Sequence, residues 1–324
     1  MVLINILLIV LGMALLVKGG DILVDGSSSL ARRFNVSELA IGLTVVAFGT
    51  SAPELVVSLS AALGSHPEIA LGNVIGSNNF NLFFILGATG LIAPLAVQRN
   101  TVRFEIPFSL FAAIIMFLLA NFAFPFAEDE KDMVTRIDGI ILLVFFVLFI
   151  FYVFKSMKNG ETADVKNTDA KTFSLLKSIL FIVFGLVFLV VGGKIVVDSA
   201  VFLATALNIS EKVIGLTIVA IGTSLPELVT SIAAVLKKSD DIAIGNIIGS
   251  NIFNIFLILG ASATVCPMEY SPIFNRDIYF LFFGTTLLIL AMFTGKKRKL
   301  DRWESAVLLL LYVGYVVYLI MQNE

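Results

Sequence analysis

Long apolar runs, separated by short polar connections, set the organisation of this chain. A helix needs about 20 apolar residues to cross the hydrocarbon core of a bilayer. With Gly, Pro and charge clusters taken as breaks, the pattern predicts ten membrane-spanning helices. Their predicted ranges are 3–31, 37–63, 69–94, 103–126, 137–157, 173–204, 210–236, 241–267, 277–295 and 302–322. The fold class predicted is therefore an all-α membrane protein surrounded by the lipid bilayer.

The composition supports this interpretation and narrows the possible partners. Of the 324 residues, 58% are hydrophobic and 14% charged, whereas soluble domains carry roughly 25% charged residues. The N-terminus has no basic region and no small-residue cleavage site, so we expect a first spanning helix rather than a signal peptide. The lone Cys266 excludes an internal disulfide. The net charge of −2 says nothing about nucleic acid, and membrane topology explains the basic residues. We therefore expect no nucleic-acid partner, and no protein partner is evident.

The sequence contains an internal repeat. Ile41–Ser58 matches Ile214–Ser231 at an offset of 173 with only four differences, and Ala70–Asn81 matches Ala243–Asn254 at the same offset. This gapless match predicts the duplication of a five-helix unit. The predicted organisation is a first repeat at 1–157 with its core at 37–94, a linker at 158–172, and a second repeat at 173–324 with its core at 210–267.

The basic residues predict the orientation of these repeats. With ten spans, the side that carries both termini holds four Lys and Arg residues and the opposite side holds sixteen. Basic residues concentrate on the cytoplasmic side, so we expect a plasma (cell inner) membrane protein with both termini outside and the linker 158–172 in the cytoplasm. An odd number of spans per repeat makes the two repeats inverted. That architecture is typical of secondary transporters with one site near the midplane.

Each copy of the first motif contains a predicted helix break followed by a carboxylate. Proline cannot donate a hydrogen bond to the carbonyl four residues before it, so helices 2 and 7 should break and free carbonyls that line a cavity. The residues of the two breaks are Gly49 and Pro53, and Gly222 and Pro226. Glu54 and Glu227 follow within apolar runs, where an ionisable group indicates function. We therefore expect the two glutamates to share one cation site.

The side chains beside these glutamates offer only oxygen ligands. Thr50, Ser51, Thr223 and Ser224 bring hydroxyl groups to the two breaks. Ser77 and Asn81, like Ser250 and Asn254, are four residues apart and share one helix face. Their side chains could complete the site or form hydrogen bonds between helices. Oxygen ligands suit Ca²⁺, whereas zinc and copper favour His and Cys. No catalytic residue and no cofactor are predicted.

At these residues the chain resembles the calcium/cation antiporter superfamily, most closely the prokaryotic sodium/calcium exchanger-like proteins. Two Gly-Thr-Ser-x-Pro-Glu and two Gly-Asn-x-Ile-Gly-Ser-Asn segments carry the resemblance, which extends over nearly the whole chain. It implies Ca²⁺ binding by Glu54, Glu227, Thr50 and Thr223, and sodium or accessory binding by Ser51, Ser224, Ser77, Ser250 and the carbonyls of Ala47 and Ala220. Asn81 and Asn254 would lie beside the central position. Several relatives have aspartate there, so the core of this chain holds two carboxylates rather than three or four.

The predicted function is exchange of Ca²⁺ for Na⁺ by alternating access, in a transporter rather than an enzyme. Exchange of Ca²⁺ for H⁺ on the same fold is an alternative, because the glutamates can also carry protons. K⁺-dependent exchange is a further alternative. A cation channel is a more distant alternative, since it gains nothing from an inverted repeat. An intramembrane hydrolase that uses Ser51 or Ser224 would need a His or Lys base, and the sequence places neither in position.

Overall fold

The computed structural model describes residues 2–122, 133–158, 173–206, 220–294 and 298–322. These residues form two compact units. Unit 1 comprises Met1–Pro53 and Tyr152–Asn246, and unit 2 comprises Glu54–Phe151 and Ile247–Glu324. Each unit thus takes segments from both sequence repeats, and the division falls within three helices.

The described chain is mostly helical, because the long apolar runs satisfy their backbone hydrogen bonds internally as membrane segments must. Besides a short 3-10 helix at Pro272–Phe274, which leads directly into the helix Asn275–Ala291, the described residues form twelve helical segments, and we number them in chain order. They are α1 Val2–Arg33, α2 Glu38–Thr50, α3 Ala52–Leu63, α4 Pro67–Ile92, α5 Thr101–Asn121, α6 Arg136–Lys158, α7 Leu175–Ala206, α8 Ala220–Thr223, α9 Leu225–Leu236, α10 Asp240–Val265, α11 Asn275–Ala291 and α12 Arg302–Gln322.

These helices confirm most of the predicted spans. Eight of the described helices are long and apolar enough to cross a membrane, and α2 with α3 forms a ninth span bent by 47°. The remaining predicted span, 210–236, begins at residues that lie outside the described ranges and ends with α8 and α9. Helix α5 ends at Asn121 rather than 126 because Phe122 turns into an extended conformation. Helix α11 begins at Asn275, two residues before the predicted start.

Burial separates the helices into two groups. In the most apolar windows of α10 and α4, 94% and 78% of the residues are buried, whereas the other six long spans reach at most 39%. Apolar side chains such as Val147 and Phe151 of α6 remain exposed, as expected for helices that face lipid. Helices α4 and α10, which carry the second duplicated motif, therefore form the protein core.

In unit 1, α1 and α7 pack against each other through glycines. A Cβ atom on Gly12 would lie 2.8 Å from the carbonyl oxygen of Gly192, and one on Gly19 would lie 2.9 Å from that of Gly185. The residue numbers rise on one helix as they fall on the other, so the helices run antiparallel. Gly12 and Gly185 are equivalent in the repeat, as are Gly19 and Gly192. The duplication therefore builds a symmetrical crossing with close backbone contact.

In unit 2, four two-residue strands form two pairs, and each pair takes one strand from each repeat. The strands are β1 Leu95–Ala96, β2 Met133–Val134, β3 Met268–Glu269 and β4 Lys299–Leu300. Strand β1 pairs antiparallel with β4, and β2 pairs antiparallel with β3. Since β1 and β3 are equivalent in the repeat, each repeat pairs the strand after its third span with a strand of the other repeat. The sequence pattern did not predict these strands.

The helices next to these strands also pack between the two repeats. In α4, a Cβ atom on Gly87 would lie 2.9 Å from the carbonyl oxygen of Ser305 in α12. In α10, a Cβ atom on Gly260 would lie 3.1 Å from the carbonyl oxygen of Gly139 in α6. Gly87 and Gly260 are equivalent in the repeat. The third span of each repeat thus packs closely on the fifth span of the other.

Candidate cation site

The predicted helix breaks are present in both repeats and have the same backbone geometry. Ser51 separates α2 from α3 with φ −83° and ψ 7°, and Ser224 separates α8 from α9 with φ −92° and ψ 8°. These angles lie in the sparsely populated bridge region, where many functional residues are found. The break therefore falls on the serine of each Gly-Thr-Ser-x-Pro segment, within the predicted range.

The residues after each break explain why a new helix starts there. Pro53 and Pro226 occupy the second position of α3 and α9, where a missing N–H costs nothing because the first N–H groups of a helix have no partner within it. Glu54 and Glu227 follow at the third position and are only 1% exposed. The N-terminus of a helix carries partial positive charge that stabilises a carboxylate. Each buried glutamate is thus partly compensated by its own helix.

The glycines before the breaks have a packing role within unit 1. Gly49 lies in the helical part of α2, and a Cβ atom there would collide with the side chain of Leu186. A Cβ atom on Gly222 in α8 would collide with Val197. Both partner residues belong to α7. The absence of a side chain, rather than an unusual backbone conformation, is what these two positions require.

In unit 1, the first break contacts the carboxylate of the second repeat. The hydroxyl of Ser51 donates to Oε1 of Glu227 over 2.9 Å. The hydroxyl of Thr50 lies 3.0 Å from Oδ1 of Asn246. The structure thus brings three predicted site residues, Thr50, Ser51 and Glu227, into one buried cluster.

An asparagine holds the carboxylate-bearing helix in each unit. In unit 1, Nδ2 of Asn246 donates to the backbone oxygen of Glu227 and to the hydroxyl of Ser231. In unit 2, Nδ2 of Asn73 donates to the backbone oxygen of Glu54 and to the hydroxyl of Ser58. The two sets are equivalent in the repeat. These contacts give Asn73 and Asn246 a structural role, since each anchors the helix that carries a glutamate.

In unit 2, four buried amides form two hydrogen-bonded pairs. Nδ2 of Asn81 donates to Oδ1 of Asn251 over 3.1 Å, and Nδ2 of Asn254 donates to Oδ1 of Asn78 over 3.2 Å. Wide helical turns begin at Phe80 in α4 and at Asn254 in α10, and such π-type turns occur frequently at functional sites. Asn81 and Asn254 therefore lie where each helix departs from regular geometry.

The remaining predicted ligands are mostly buried as well. Their exposures range from 0% to 8% for Ala47, Ser77, Thr223, Ser224 and Ser250. Ala220 and Thr223 both lie in α8. Pro226 is buried and Pro53 is half-buried. Every predicted oxygen-bearing side chain of the site is thus removed from water in a largely apolar protein.

Sequence reasoning missed the amides of Asn78 and Asn251 and the hydroxyls of Ser58 and Ser231. A signal was present, since each of these residues occurs in both repeats, directly within or at the end of a duplicated motif. Spacing alone did not reveal their role because it depends on hydrogen bonds to asparagines on other helices: Ser58 and Ser231 accept from Asn73 and Asn246, and Asn78 and Asn251 accept from Asn254 and Asn81.

The chemistry available here is that of oxygen ligands. Among the residues that the structure describes, no group of three or more His, Cys, Asp or Glu side chains comes together. The buried carboxylate of Glu227 accepts a hydrogen bond from the hydroxyl of Ser51 instead. Such an arrangement suits hard cations that take carboxylate, hydroxyl and carbonyl oxygens.

Comparison with known proteins agrees with this chemistry. The family described as sodium/calcium exchanger protein matches residues 4–155 and 177–321, which is nearly the whole chain. The chain belongs to the sodium/calcium exchanger family. It is therefore a multi-span membrane protein.

Relatives and solved structures cover the chain from end to end. The sodium/calcium exchanger MaX1 of Methanosarcina acetivorans is 34% identical and matches 98% of this chain and 99% of its own. The inner membrane protein YrbG of Escherichia coli is 36% identical over 97% of this chain and 95% of its own. Structures of the sodium-calcium exchanger NCX_Mj superimpose with a TM-score of 0.82 at 34% identity and cover 98% of this chain and 99% of theirs.

Proposed function

We propose that this exchanger-family chain moves Ca²⁺ across the membrane in exchange for Na⁺ by alternating access. The observation that carries the proposal is the pair of duplicated breaks, each with a buried glutamate at the N-terminus of a half-helix. Such broken helices and inverted repeats are typical of secondary transporters. The exchangers MaX1 and NCX_Mj support the choice of ions, since both are named for sodium and calcium, and NCX_Mj has been soaked with Na⁺, Ca²⁺ and Sr²⁺.

The proposed Ca²⁺ ligands are Glu54, Glu227, Thr50 and Thr223. The two glutamates are equivalent in the repeat, and two carboxylates match the charge of one Ca²⁺. Ser51 of the first repeat donates to Glu227 of the second, and this contact between the two breaks supports a shared ion. The proposed Na⁺ or accessory ligands are Ser51, Ser224, Ser77, Ser250, the carbonyls of Ala47 and Ala220, and the amides of Asn81 and Asn254.

Coupling follows from competition for the same carboxylates. Glutamates buried in an apolar protein need positive charge nearby, because an uncompensated buried charge costs several kcal/mol. Either Ca²⁺ or Na⁺ can supply that charge, but both cannot occupy the carboxylates together. The site should therefore change its access only when one of the two ions is bound, and this requirement makes the transport an exchange.

The ion dependence of transport tests this proposal. Purified protein in vesicles loaded with Na⁺ should take up radioactive Ca²⁺ when the external Na⁺ is diluted, and a proton uncoupler should leave the uptake unchanged. Uptake that ignores Na⁺ but collapses with the uncoupler would identify exchange for H⁺ instead. Flux that needs no counter-ion at all would identify a channel.

We also propose that both termini face outward and that the linker 158–172 faces the cytoplasm. The lone Cys266, half-buried after α10, lies on the side proposed to face outward. A membrane-impermeant maleimide should label it in intact cells. As a matched control, a Thr162→Cys protein that also carries Cys266→Ser should react only after permeabilisation. The opposite pattern would reverse the orientation.

A further inference from the structure

The four asparagines Asn78, Asn81, Asn251 and Asn254, which we name the amide quartet, hold one another in a defined orientation. All four are at most 1% exposed. Asn81 donates to Asn251, and Asn254 donates to Asn78. Asn78 is equivalent to Asn251 and Asn81 to Asn254 in the repeat, so the duplication has preserved both pairs. Because the same buried pairing occurs in both repeats, it is a specific feature of the fold rather than an incidental contact between amides.

The direction of these hydrogen bonds decides which end of each amide stays open. An asparagine has one donating end and one accepting end. Because the nitrogens of Asn81 and Asn254 are held, their Oδ1 atoms are turned away, and those buried oxygens find no hydrogen-bond partner among the described residues. Leaving a buried acceptor unpaired costs about 1–3 kcal/mol. Two open oxygens in a protein that binds cations indicate that the missing partner is a cation.

The other two amides have the opposite arrangement. The Oδ1 atoms of Asn78 and Asn251 are occupied as acceptors, and their Nδ2 atoms are the ends that find no partner within the described chain. An N–H group cannot ligate a cation. Asn78 and Asn251 therefore act on the amides beside them rather than on the ion.

We propose that Asn78 and Asn251 are positioning residues, which fix the amides of Asn254 and Asn81 so that the Oδ1 oxygens face the transported cation. This inference rests on the proposed function and names residues that set the cation affinity of that site. Without the acceptor at Asn78, the amide of Asn254 can turn over and present its N–H groups to the ion. Loss of Asn251 has the same consequence for Asn81.

A double-mutant cycle separates this role from a general structural one. Asn78→Leu removes the acceptor at nearly constant size, and Asn254→Asp replaces the amide with a carboxylate, whose two ends are both oxygen and whose orientation no longer matters. In the otherwise native protein, Asn78→Leu should raise the Na⁺ concentration for half-maximal Ca²⁺ exchange about three- to tenfold, the size of one hydrogen bond. In the Asn254→Asp protein, adding Asn78→Leu should shift the logarithm of this Na⁺ concentration by less than about a third as much as it does in the native protein.

Asn81→Asp supplies the matched control. Asn78 does not pair with Asn81, so Asn78→Leu should keep its full effect in the Asn81→Asp background, whereas Asn251→Leu should lose its effect there. Equal effects of Asn78→Leu in the native, Asn254→Asp and Asn81→Asp proteins would overturn the positioning role. Each cycle is repeated with Asn78→Ser and Asn251→Ser, whose shorter side chains also fail to reach the amide. Size-exclusion profiles select the variants that fold.

The unmodified protein in the same assay keeps this inference separate from the proposed function. If it shows no Na⁺-dependent Ca²⁺ exchange, the proposed function fails. If it exchanges the ions and the cycle shows no coupling between residues 78 and 254, only the positioning role fails.

Discussion

The turns that follow α3 and α9 have the same backbone but different charge. Gly64, Ser65 and His66 make the same three backbone hydrogen bonds as Lys237, Lys238 and Ser239. Ser65 and Lys238 even share a φ of 59°. Yet one turn begins with Gly64, which has no side chain, and the other begins with Lys237, whose ammonium group binds α1.

The lysine makes three short contacts within unit 1. Nζ of Lys237 lies 2.6 Å from carboxylate oxygens of both Asp21 and Asp25 and 2.7 Å from the backbone oxygen of Asp21. In the repeat, Asp21 corresponds to Lys194 and Asp25 to Asp198. That second pair is bridged along α7 over 3.2 Å and is largely exposed. The network around Lys237 therefore has no equivalent in the other repeat.

This comparison teaches where the two repeats had to stay alike and where they could diverge. The breaks, the glutamates and the asparagines behind them are the same in both repeats, since both copies supply ligands to the proposed ion. The helix ends lie away from those ligands and have acquired different charges. Equivalent substitutions in the shared part should therefore have similar effects in both repeats. Substitutions at the helix ends should have an effect in one repeat only.

The largest effect is expected at the glutamates. Glu54→Gln and Glu227→Gln should each reduce Ca²⁺ exchange at least about a hundredfold, because losing one of two buried charges costs about 3–5 kcal/mol of ion binding. Exchange is measured in vesicles, and size-exclusion chromatography checks folding. Glu38→Gln is the matched control, since Glu38 pairs with Arg32 at 3.8 Å near the surface; it should transport normally. Near-normal exchange by either glutamate variant would contradict the shared site.

A smaller, paired effect is expected at the asparagines that hold α3 and α9. Asn73→Leu and Asn246→Leu each leave a backbone oxygen and a serine hydroxyl without their donor, at a cost of about 1–3 kcal/mol. Thermal unfolding in detergent should show similar losses for both variants. A loss at one position with none at the other would show that the repeats have diverged here too.

A still smaller and one-sided effect is expected at the turn after α9. Lys237→Gln removes the partner of Asp21 and Asp25 and should lower stability by about 1 kcal/mol, since solvent reaches all three groups. High salt should shrink the difference. The neighbouring Lys238→Gln is the matched control and should unfold like the native protein. If Lys237→Gln unfolds at the same temperature as Lys238→Gln and the native protein, the network contributes nothing measurable to stability.

The smallest effect is expected at the exposed pair on α7. The side chains of Lys194 and Asp198 are 75% and 63% exposed, and such ion pairs contribute about 0–0.5 kcal/mol. Lys194→Gln should therefore leave the unfolding temperature unchanged within error. A loss as large as that of Lys237→Gln would remove the contrast between the two repeats.

The spans and the breaks could be predicted from the sequence because their causes are local. A spanning helix needs only an apolar run of sufficient length, and a proline fixes a break within a few residues of itself. The structure narrows the second break to Ser224 and gives Gly49 a packing role that depends on Leu186, a residue far along the chain. Contacts of that kind leave no local pattern.

The strands and the amide pairs could not be predicted for a related reason. A two-residue strand such as Leu95–Ala96 is too short to show alternation. Asn78 and Asn251 gain their meaning from hydrogen bonds that join α4 and α10. The network around Lys237 could not be predicted either, since the sequence does not show which carboxylates lie beside this lysine.

The reciprocal strand pairs have a consequence for biosynthesis. Leu95–Ala96 leaves the ribosome early, but Lys299–Leu300, with which it pairs, is made only near the end of the chain. Met133–Val134 likewise waits for Met268–Glu269. At about 5–20 residues per second, the wait is on the order of ten seconds. During that time the strands of the first repeat exist without their partners, so this part of the fold is completed only after the second repeat has been made.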